Sequence, residues 1–435
     1  MSTPIKPKDR DAIIQALNAG VVPRLGLRHI QVGRAREVEA LVKDIDRLAD
    51  SGSSIRVVVG EYGAGKTFFL NLVRLIALEK GLVVINADLG PDRRLHATGG
   101  QARSLYAELM RNLATRTRPE GGALASVVER FVGKAHDDAK AADKPVADII
   151  KQRLAPLEEL VSGYDFAAVV GEYWHASEAG DETKKSAALR WLRGEWGTRT
   201  DARHALGVVR TIIDDASVYD YLKLMAQFVR LAGYKGVLVV LDEMVNLYKL
   251  QSSQARNANY EQILRILNDV LQGSANGLGF VMGGTPEFLM DSRRGLYSYQ
   301  ALQSRLAENA FAKGGLVDLS GPVVRLQSLT PEDLYILLTN IRTVFAGGDP
   351  SRHLVPDDAL HAFMHHCSQR IGDAYFRTPR NTVKAFVNLL SVLEQNAGAA
   401  WTDLIGGIDL APEQDVSPDA AQEGGDDDEL ASFRL

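Results

Sequence analysis

Eight consecutive residues near the start of the chain have the composition of a phosphate-binding loop. Residues 60–67 read Gly-Glu-Tyr-Gly-Ala-Gly-Lys-Thr, follow the apolar run 55–59 and precede a helix predicted over 68–78. Glycines let backbone N–H groups turn toward phosphate oxygens, and the helix adds its positive N-terminal end. Lys66 is expected to reach the β- and γ-phosphates of a nucleoside triphosphate, and Thr67 to ligate Mg²⁺. The predicted nucleotide-binding residues here are Gly60, Glu61, Tyr62, Gly63, Ala64, Gly65, Lys66, Thr67 and Phe68.

A later apolar run ends in two acids. Residues 236–243 read Gly-Val-Leu-Val-Val-Leu-Asp-Glu, and burying two carboxylates at a strand end is costly without a cation or hydrogen-bond donors. We expect Asp242 to hold Mg²⁺ and Glu243 to orient or polarise the attacking water. The alternative is that one acid merely caps the next helix. A glutamate beside the metal-binding aspartate indicates an enzyme that hydrolyses ATP with water. It argues against a nucleotide kinase, which needs a pocket for a phosphate acceptor instead.

Four further side chains are candidates for sensing or stabilising the γ-phosphate. Thr285 closes a predicted strand within Gly-Gly-Thr-Pro and is the candidate polar sensor, although this sequence is also typical of an ordinary turn. Arg380 opens a predicted helix, where its charge could face the nucleotide. Arg305, and after it Arg294, are candidates for an arginine inserted from a neighbouring subunit; the alternative is a surface base.

The apolar runs alternate with helical patterns along the chain. Such alternation predicts an α/β fold of three layers, a parallel sheet with helices on both faces, and a nucleotide site at the carboxyl ends of the strands. The predicted strands are 55–59, 82–87, 236–243, 278–282 and 323–326.

A helical insertion and a helical lid are predicted around this sheet. Thr330-Pro331-Glu332-Asp333 is typical of a helix start, and further helices are expected over 334–345, 356–367 and 379–396. The predicted organisation is an N-terminal element with the first part of the core (1–87), a mostly helical insertion (88–235), the second part of the core (236–327), a lid (328–410) and an acidic tail (411–435).

Composition limits the setting of the protein. The chain has 435 residues, 46% of them hydrophobic, and a single cysteine, Cys367, which excludes an intramolecular disulfide. The N-terminus lacks the apolar stretch of a signal peptide, and no segment approaches the roughly 18 apolar residues of a spanning helix. We therefore expect a cytoplasmic protein with no membrane partner.

The end of the chain is strongly acidic. Residues 411–435 hold eight acids against the single base Arg434, a composition typical of disorder. Leu430, Phe433 and Leu435 follow the acidic block and could form a docking motif, although a solubilising tail explains the same composition.

Together these motifs resemble the AAA+ ATPases, a class with a P-loop NTPase core. Residues 32–39 look like the adenine-side element of that class, which implies that Arg34 contacts the nucleotide. Softer signatures at 60–67, 190–195, 232–234 and 377–380 resemble the ATP-binding proteins of bacterial BREX (bacteriophage exclusion) loci. The resemblance implies ATP turnover in defence against phage DNA, beside partners such as a helicase or methyltransferase. The residues it assigns to turnover and sensing are Lys66, Thr67, Asp242, Glu243, Thr285 and Arg380.

Two hypotheses about function remain open. In the first, the protein assembles as a homo-oligomer on DNA and uses ATP hydrolysis to remodel or translocate it. In the second, it is a nucleotide-gated scaffold or switch that recruits effectors, and hydrolysis only resets it. Several basic residues could contact the phosphates of DNA, or they could form an ordinary solvated helical face. An oligomer would repeat a weak contact several times, so modest DNA binding could follow from assembly. The candidate residues are Arg93, Arg94, His96, Arg103, Arg111, Arg116 and Arg118.

Overall fold

A five-stranded parallel sheet forms the centre of the protein. The computed structural model describes residues 4–312 and 317–408. The strand order is β2-β3-β4-β1-β5, and every pairing between neighbours is parallel. All five predicted strands are confirmed, with ends displaced by one or two residues. The strands are β1 (Ser54–Val59), β2 (Val83–Asp88), β3 (Val237–Asp242), β4 (Leu278–Gly284) and β5 (Val323–Arg325).

The remaining elements are helices. Two precede β1, one follows it, and seven lie between β2 and β3. The helices before β3 are α1 (Pro7–Asn18), α2 (Ala35–Ala49), α3 (Lys66–Glu79), α4 (Gln101–Arg111), α5 (Leu124–Ala142), α6 (Val146–Glu158), α7 (Gly163–Ala179), α8 (Glu182–Leu192), α9 (Arg199–Leu206) and α10 (Val218–Leu231). Those after it are α11 (Val245–Tyr248), α12 (Ser253–Leu271), α13 (Pro286–Met290), α14 (Gln300–Leu306), α15 (Pro331–Phe345), α16 (Asp357–Ile371), α17 (Ala374–Arg377), α18 (Arg380–Gln395) and α19 (Trp401–Ile405). Short 3-10 turns lie at Leu27–His29, Leu296–Ser298 and Pro350–Arg352.

Alternate residues of the strands face opposite helical layers, as the period of two in a strand requires. On one face, Val58 and Val84 pack with residues of α2 and α3 such as Leu41 and Phe69. On the other face, the core around Ile85 includes side chains from α4, α10, α12 and the rest of the helical insertion. Strands covered on both faces explain the uninterrupted apolar runs in the sequence.

A second hydrophobic cluster joins the two ends of the described chain. It contains Leu338, Phe363 and Phe386 of the C-terminal helices together with Ile13 of α1. We call α15–α19 with α1 the C-terminal helical cluster. The helix start at Thr330 is confirmed. The Thr330 hydroxyl accepts a hydrogen bond from the Asp333 N–H, and the Asp333 carboxylate accepts one from the Thr330 N–H. The domain boundaries stay a prediction, and α1 packs here although it precedes the sheet in sequence.

The acidic tail predicted at 411–435 lies outside the described residues. Among the helices that the structure describes, none has the length and apolar character needed to cross a membrane.

Candidate functional site

The predicted phosphate loop lies where β1 ends and α3 begins. Lys66 is the first residue of α3, and its ammonium Nζ donates hydrogen bonds to the carbonyl oxygens of Gly60 (2.8 Å) and Glu61 (2.9 Å). Burial lowers the pKa of Lys66, and the negative charges of Asp242 and Glu243 oppose this effect. The loop therefore curls around one cation that faces the acids at the end of β3, which β4 separates from β1 in the sheet.

The glycines of this loop have specific steric and backbone roles. Gly63 and Gly65 adopt φ values of +77° and +75°, in the left-handed region that other residues disfavour. A Cβ on Gly63 would lie 2.7 Å from Cγ2 of Thr378, so this part of the loop touches the C-terminal helical cluster directly. The Gly60 N–H donates to the Gly284 carbonyl (3.3 Å), which fixes the loop against the end of β4.

The two predicted acids lie beside the loop at the end of β3. The Thr67 hydroxyl donates to Oδ2 of Asp242 (2.9 Å), and Oδ1 of Asp242 accepts from the Glu243 N–H (2.9 Å). Asp242 is only 7% exposed, whereas Glu243 is exposed and adopts φ +56°. The left-handed backbone turns the chain immediately after the buried aspartate. A Cβ on Gly283 of β4 would lie 2.6 Å from Asp242 Oδ1, so a small residue is needed there.

A third acid, which the sequence analysis missed, lies next to this pair. Asp88 ends β2 and is the register partner of Asp242 in the neighbouring strand. Partial burial and the charge of Asp242 raise the pKa of Asp88. Partial burial also raises the pKa of Glu243, with further contributions from Asp242 and Asp88. Asp88 therefore adds a negative charge next to the pair Asp242 and Glu243. The sequence signal for Asp88 is that it directly follows the apolar run 82–87, just as Asp242 ends the apolar run of β3.

Arg34 contacts the loop through its side chain. Its guanidinium donates to the carbonyl oxygens of Ala64, Gly65 (3.3 Å) and Gln327 (3.3 Å). The residue precedes α2 and adopts φ +58°. Burial lowers the pKa of Arg34, and the charges of Glu37 and Asp333 oppose that shift. Arg34 thus ties α2, the phosphate loop and the segment after β5 together, and its contact with a nucleotide stays a prediction.

The other loop residues point in different directions. Glu61 and Tyr62 are exposed, with Tyr62 at 52%. Ala64 is buried, and Phe68 packs at the margin of the C-terminal helical cluster. The helix that carries Lys66 and Thr67 is therefore held by that cluster as well as by the sheet.

The predicted sensors occupy element starts. Thr285 caps α13, and its hydroxyl accepts from the Phe288 N–H (3.4 Å). It directly follows Gly284, which binds the loop. Arg380 is the first residue of α18, as predicted, and its side-chain stem lies beside Gly20. Both sensing roles stay predictions.

The two candidate arginines for a neighbouring subunit lie against the chain's own helices. Arg305 donates to Oδ1 of Asn268 (2.7 Å) and to the Ala301 carbonyl (2.9 Å). Arg294 donates to the Leu250 carbonyl (3.2 Å) and lies over the ring of Tyr248. Their action in a partner's site stays a prediction.

The strand order, the phosphate loop after β1 and the acid pair at the carboxyl end of β3 define a P-loop NTPase-like core. A family model described as BREX system ATP-binding protein BrxC/D matches residues 5–409. The chain belongs to this family of ATP-binding proteins of the BREX defence system. No curated protein matches the sequence.

Proposed function

We propose that this protein is an AAA+-type, Mg²⁺-dependent ATPase that acts in the cytoplasm in BREX defence against phage. ATP turnover would drive its assembly into a homo-oligomer on DNA, or the remodelling of DNA or of a defence complex with partners such as a helicase. The observation that carries this proposal is the contact of Thr67 with Asp242 and of Asp242 with Glu243 beside the Lys66 loop.

The donor set suits Mg²⁺. The Thr67 hydroxyl oxygen and Asp242 Oδ2 lie 2.9 Å apart. Adjacent ligands of an octahedral ion with bonds of about 2.05 Å are separated by about 2.9 Å. Both are oxygen donors of the kind that this ion prefers. When bound, Mg²⁺ would neutralise charge on the β- and γ-phosphate oxygens.

The chain's own residues have separable roles in this proposal. Lys66 would transfer its hydrogen bonds from the Gly60 and Glu61 carbonyls to the phosphates. Glu243 would accept a hydrogen bond from the attacking water and draw off its proton, because its exposed carboxylate follows the metal-binding Asp242 directly. The raised pKa of Glu243 makes it a stronger base than an ordinary glutamate.

A second candidate function is a nucleotide-gated switch. Thr378 touches Gly63, and Phe68 packs into the C-terminal helical cluster, so a change in the loop would be felt by that cluster. Because α1 belongs to the same cluster, both ends of the described chain would respond together. In this alternative, ATP-bound protein recruits effectors and hydrolysis only resets it.

The test is steady-state phosphate release with Mg²⁺, without DNA and with single-stranded or duplex DNA, while oligomeric mass is followed. Lys66→Ala provides the blank. Glu243→Gln keeps the side-chain shape, so ATP binding should persist while kcat falls by about 10²- to 10⁴-fold. Glu261→Gln, an exposed residue of α12, is the matched control and should leave kcat unchanged.

Protection of cells against phage by the variant BREX locus separates the two candidates. Glu243→Gln should abolish protection by a hydrolysing machine and should leave a switch constitutively active. If wild-type protein binds ATP but releases no more phosphate than Lys66→Ala under every condition, the ATPase proposal is wrong.

A further inference from the structure

The helical insertion carries exposed basic or aromatic residues on three helices, of which α8 packs against both α7 and α9, far along the chain from the phosphate loop. A set of four exposed arginines and two aromatic rings lies on α7, α8, α9 and the following loops, and we call it the arginine–aromatic surface. Its members are Arg190, Arg199, Arg203, Arg210, Tyr164 and Trp196.

Two of the arginines lie over the rings. The guanidinium carbon of Arg190 is 4.2 Å from the ring centroid of Trp196, and that of Arg210 is 4.9 Å from the ring centroid of Tyr164. Tyr164 is 52% exposed, so part of its ring remains accessible to a ligand. A guanidinium held over an aromatic ring offers a flat cationic group beside an apolar face.

Buried hydrogen bonds fix this arrangement. Asp165 is only 4% exposed, and its Oδ2 accepts from the N–H groups of Arg210 (3.1 Å) and Thr211 (2.6 Å). The carboxylate thereby holds the Arg210 backbone beside the first turn of α7, which carries Tyr164. On the other side, the Trp196 indole N–H donates to the Ala187 carbonyl (3.2 Å). Both rings are positioned before any ligand arrives.

The positive charge of this surface is not neutralised locally. Within residues 4–312 and 317–408, none of its four arginines has a carboxylate partner at ion-pair distance. Of two acids close to these arginines in sequence, Glu195 is paired with other arginines, whereas Asp201 keeps its negative charge because its hydrogen-bond donor is a neutral hydroxyl. Asp201 accepts from the Thr198 hydroxyl (2.7 Å), and Glu195 pairs with Arg111 (3.5 Å) and Arg193 (3.8 Å).

Several basic residues that the sequence suggested for DNA contact are used internally instead. Arg93 pairs with Glu108 (3.8 Å), and Arg111 pairs with Glu108 (3.6 Å) as well as with Glu195. Arg103 donates to the Trp196 carbonyl (3.3 Å). Of the other candidates, Arg116 and Arg118 stay exposed, so the arginine–aromatic surface shares the available charge of this region with them.

We propose that the arginine–aromatic surface binds single-stranded nucleic acid. Unpaired arginines would contact the phosphates, and the accessible face of Tyr164 would stack on an unpaired base. A duplex hides the base faces, and an acidic protein has no base to stack, so the exposed ring favours a single strand. This inference rests on the proposed function in one respect, because it names the DNA-contacting surface of the proposed ATPase.

The test measures anisotropy of a fluorescently labelled single-stranded DNA with the full chain over a series of salt concentrations. Arg199→Gln with Arg203→Gln removes two charges one helical turn apart on α9. Binding should weaken at least about tenfold. The negative slope of log K against log salt should become shallower by about 1.4, because two phosphate contacts are lost. Tyr164→Leu should weaken binding by about 5-fold or more without changing that slope.

The matched control is Arg352→Gln with Arg370→Gln, which removes two exposed arginines, one from the 3-10 turn before α16 and one from α16. It should leave affinity and slope unchanged, and melting curves verify that every variant is folded. The inference is overturned if the α9 variant binds like the control. It is also overturned if poly-glutamate competes as well as unlabelled DNA and Tyr164→Leu has no effect, since the partner is then an acidic protein.

Lys66→Ala separates this inference from the proposed function. Without nucleotide it should bind DNA like the wild-type protein, because Lys66 lies outside the arginine–aromatic surface. Loss of DNA binding in the α9 variant supports the surface even if wild-type protein releases no phosphate. Full ATPase activity with unaltered DNA binding in the α9 variant refutes the surface alone.

Discussion

Replacing Gly63 by alanine tests the contact between the phosphate loop and the C-terminal helical cluster. The substitution adds one methyl group to a residue at φ +77°, and that methyl carbon would lie 2.7 Å from Cγ2 of Thr378. Thr378 has little freedom to yield, because its hydroxyl donates to the Ala374 carbonyl (3.0 Å) and its Cβ is branched.

Two contributions to the free energy of unfolding can be separated. An alanine in the left-handed region costs about 1–2 kcal/mol at either of two positions. Overpacking against Thr378 adds about 1–3 kcal/mol at Gly63 only. Gly122 provides the control, because it has φ +69° and its added Cβ would meet nothing within 4 Å. We therefore expect Gly63→Ala to be the more destabilising by about 1–3 kcal/mol.

Urea unfolding of nucleotide-free protein, followed by circular dichroism, measures both variants. Thr378→Ser removes the colliding Cγ2 but keeps the hydroxyl, so it should recover part of the loss in the Gly63→Ala background. Equal destabilisation by Gly63→Ala and Gly122→Ala would refute the proposed contact. Lack of any recovery by Thr378→Ser would assign the loss to another neighbour.

Three further predictions concern the acids. Thr67→Ala should abolish Mg²⁺-dependent phosphate release while Thr67→Ser retains much of it, because serine keeps the hydroxyl beside Asp242; a Mg²⁺ titration of kcat would contradict this if both variants behaved alike. Asp88→Asn should stabilise nucleotide-free protein at pH 7.5, because the raised pKa of Asp88 means that stability is lost as pH rises through it. That gain should shrink as the pH of the urea titration falls toward the raised pKa, and a gain independent of pH would contradict the reasoning. Asp44→Ala should cost about 3–5 kcal/mol in urea unfolding, since it leaves the buried guanidinium of Arg56 without its carboxylate; a cost below about 1 kcal/mol would contradict the pairing.

The sequence predicts the parts of this fold that local chemistry determines. The strands are uninterrupted apolar runs because both faces of the sheet are covered. The phosphate loop is recognisable because its glycines, lysine and threonine all lie within the single continuous segment 60–67. The helix start at Thr330 was equally readable, since its cap and its reciprocal acid are three residues apart.

What the sequence could not predict depends on which distant segments become neighbours. Asp88 lies next to Asp242 only because β2 pairs with β3. The whole insertion separates these two strands in sequence, so the sequence does not show that they are neighbours. Likewise, Thr378 touches Gly63, and Ile13 joins the C-terminal helical cluster, through contacts between remote segments. Ion pairing also bears on the predicted DNA contacts, since Arg93 and Arg111 are paired with acids of the same chain. The sequence alone does not show these pairs.

Hydrogen bonds near the start of α4 join the insertion to the site. The Asp215 carboxylate accepts from the N–H groups of Gly100 (2.6 Å) and Arg103 (2.8 Å) at the start of α4. On the other side of that helix start, the Leu89 N–H donates to the Asp242 carbonyl (3.0 Å). A ligand that shifted the arginine–aromatic surface would thus act on the segment between Asp88 and α4. Because Asp88 pairs in register with Asp242, that segment offers a hydrogen-bonded route from the proposed DNA surface to the acids.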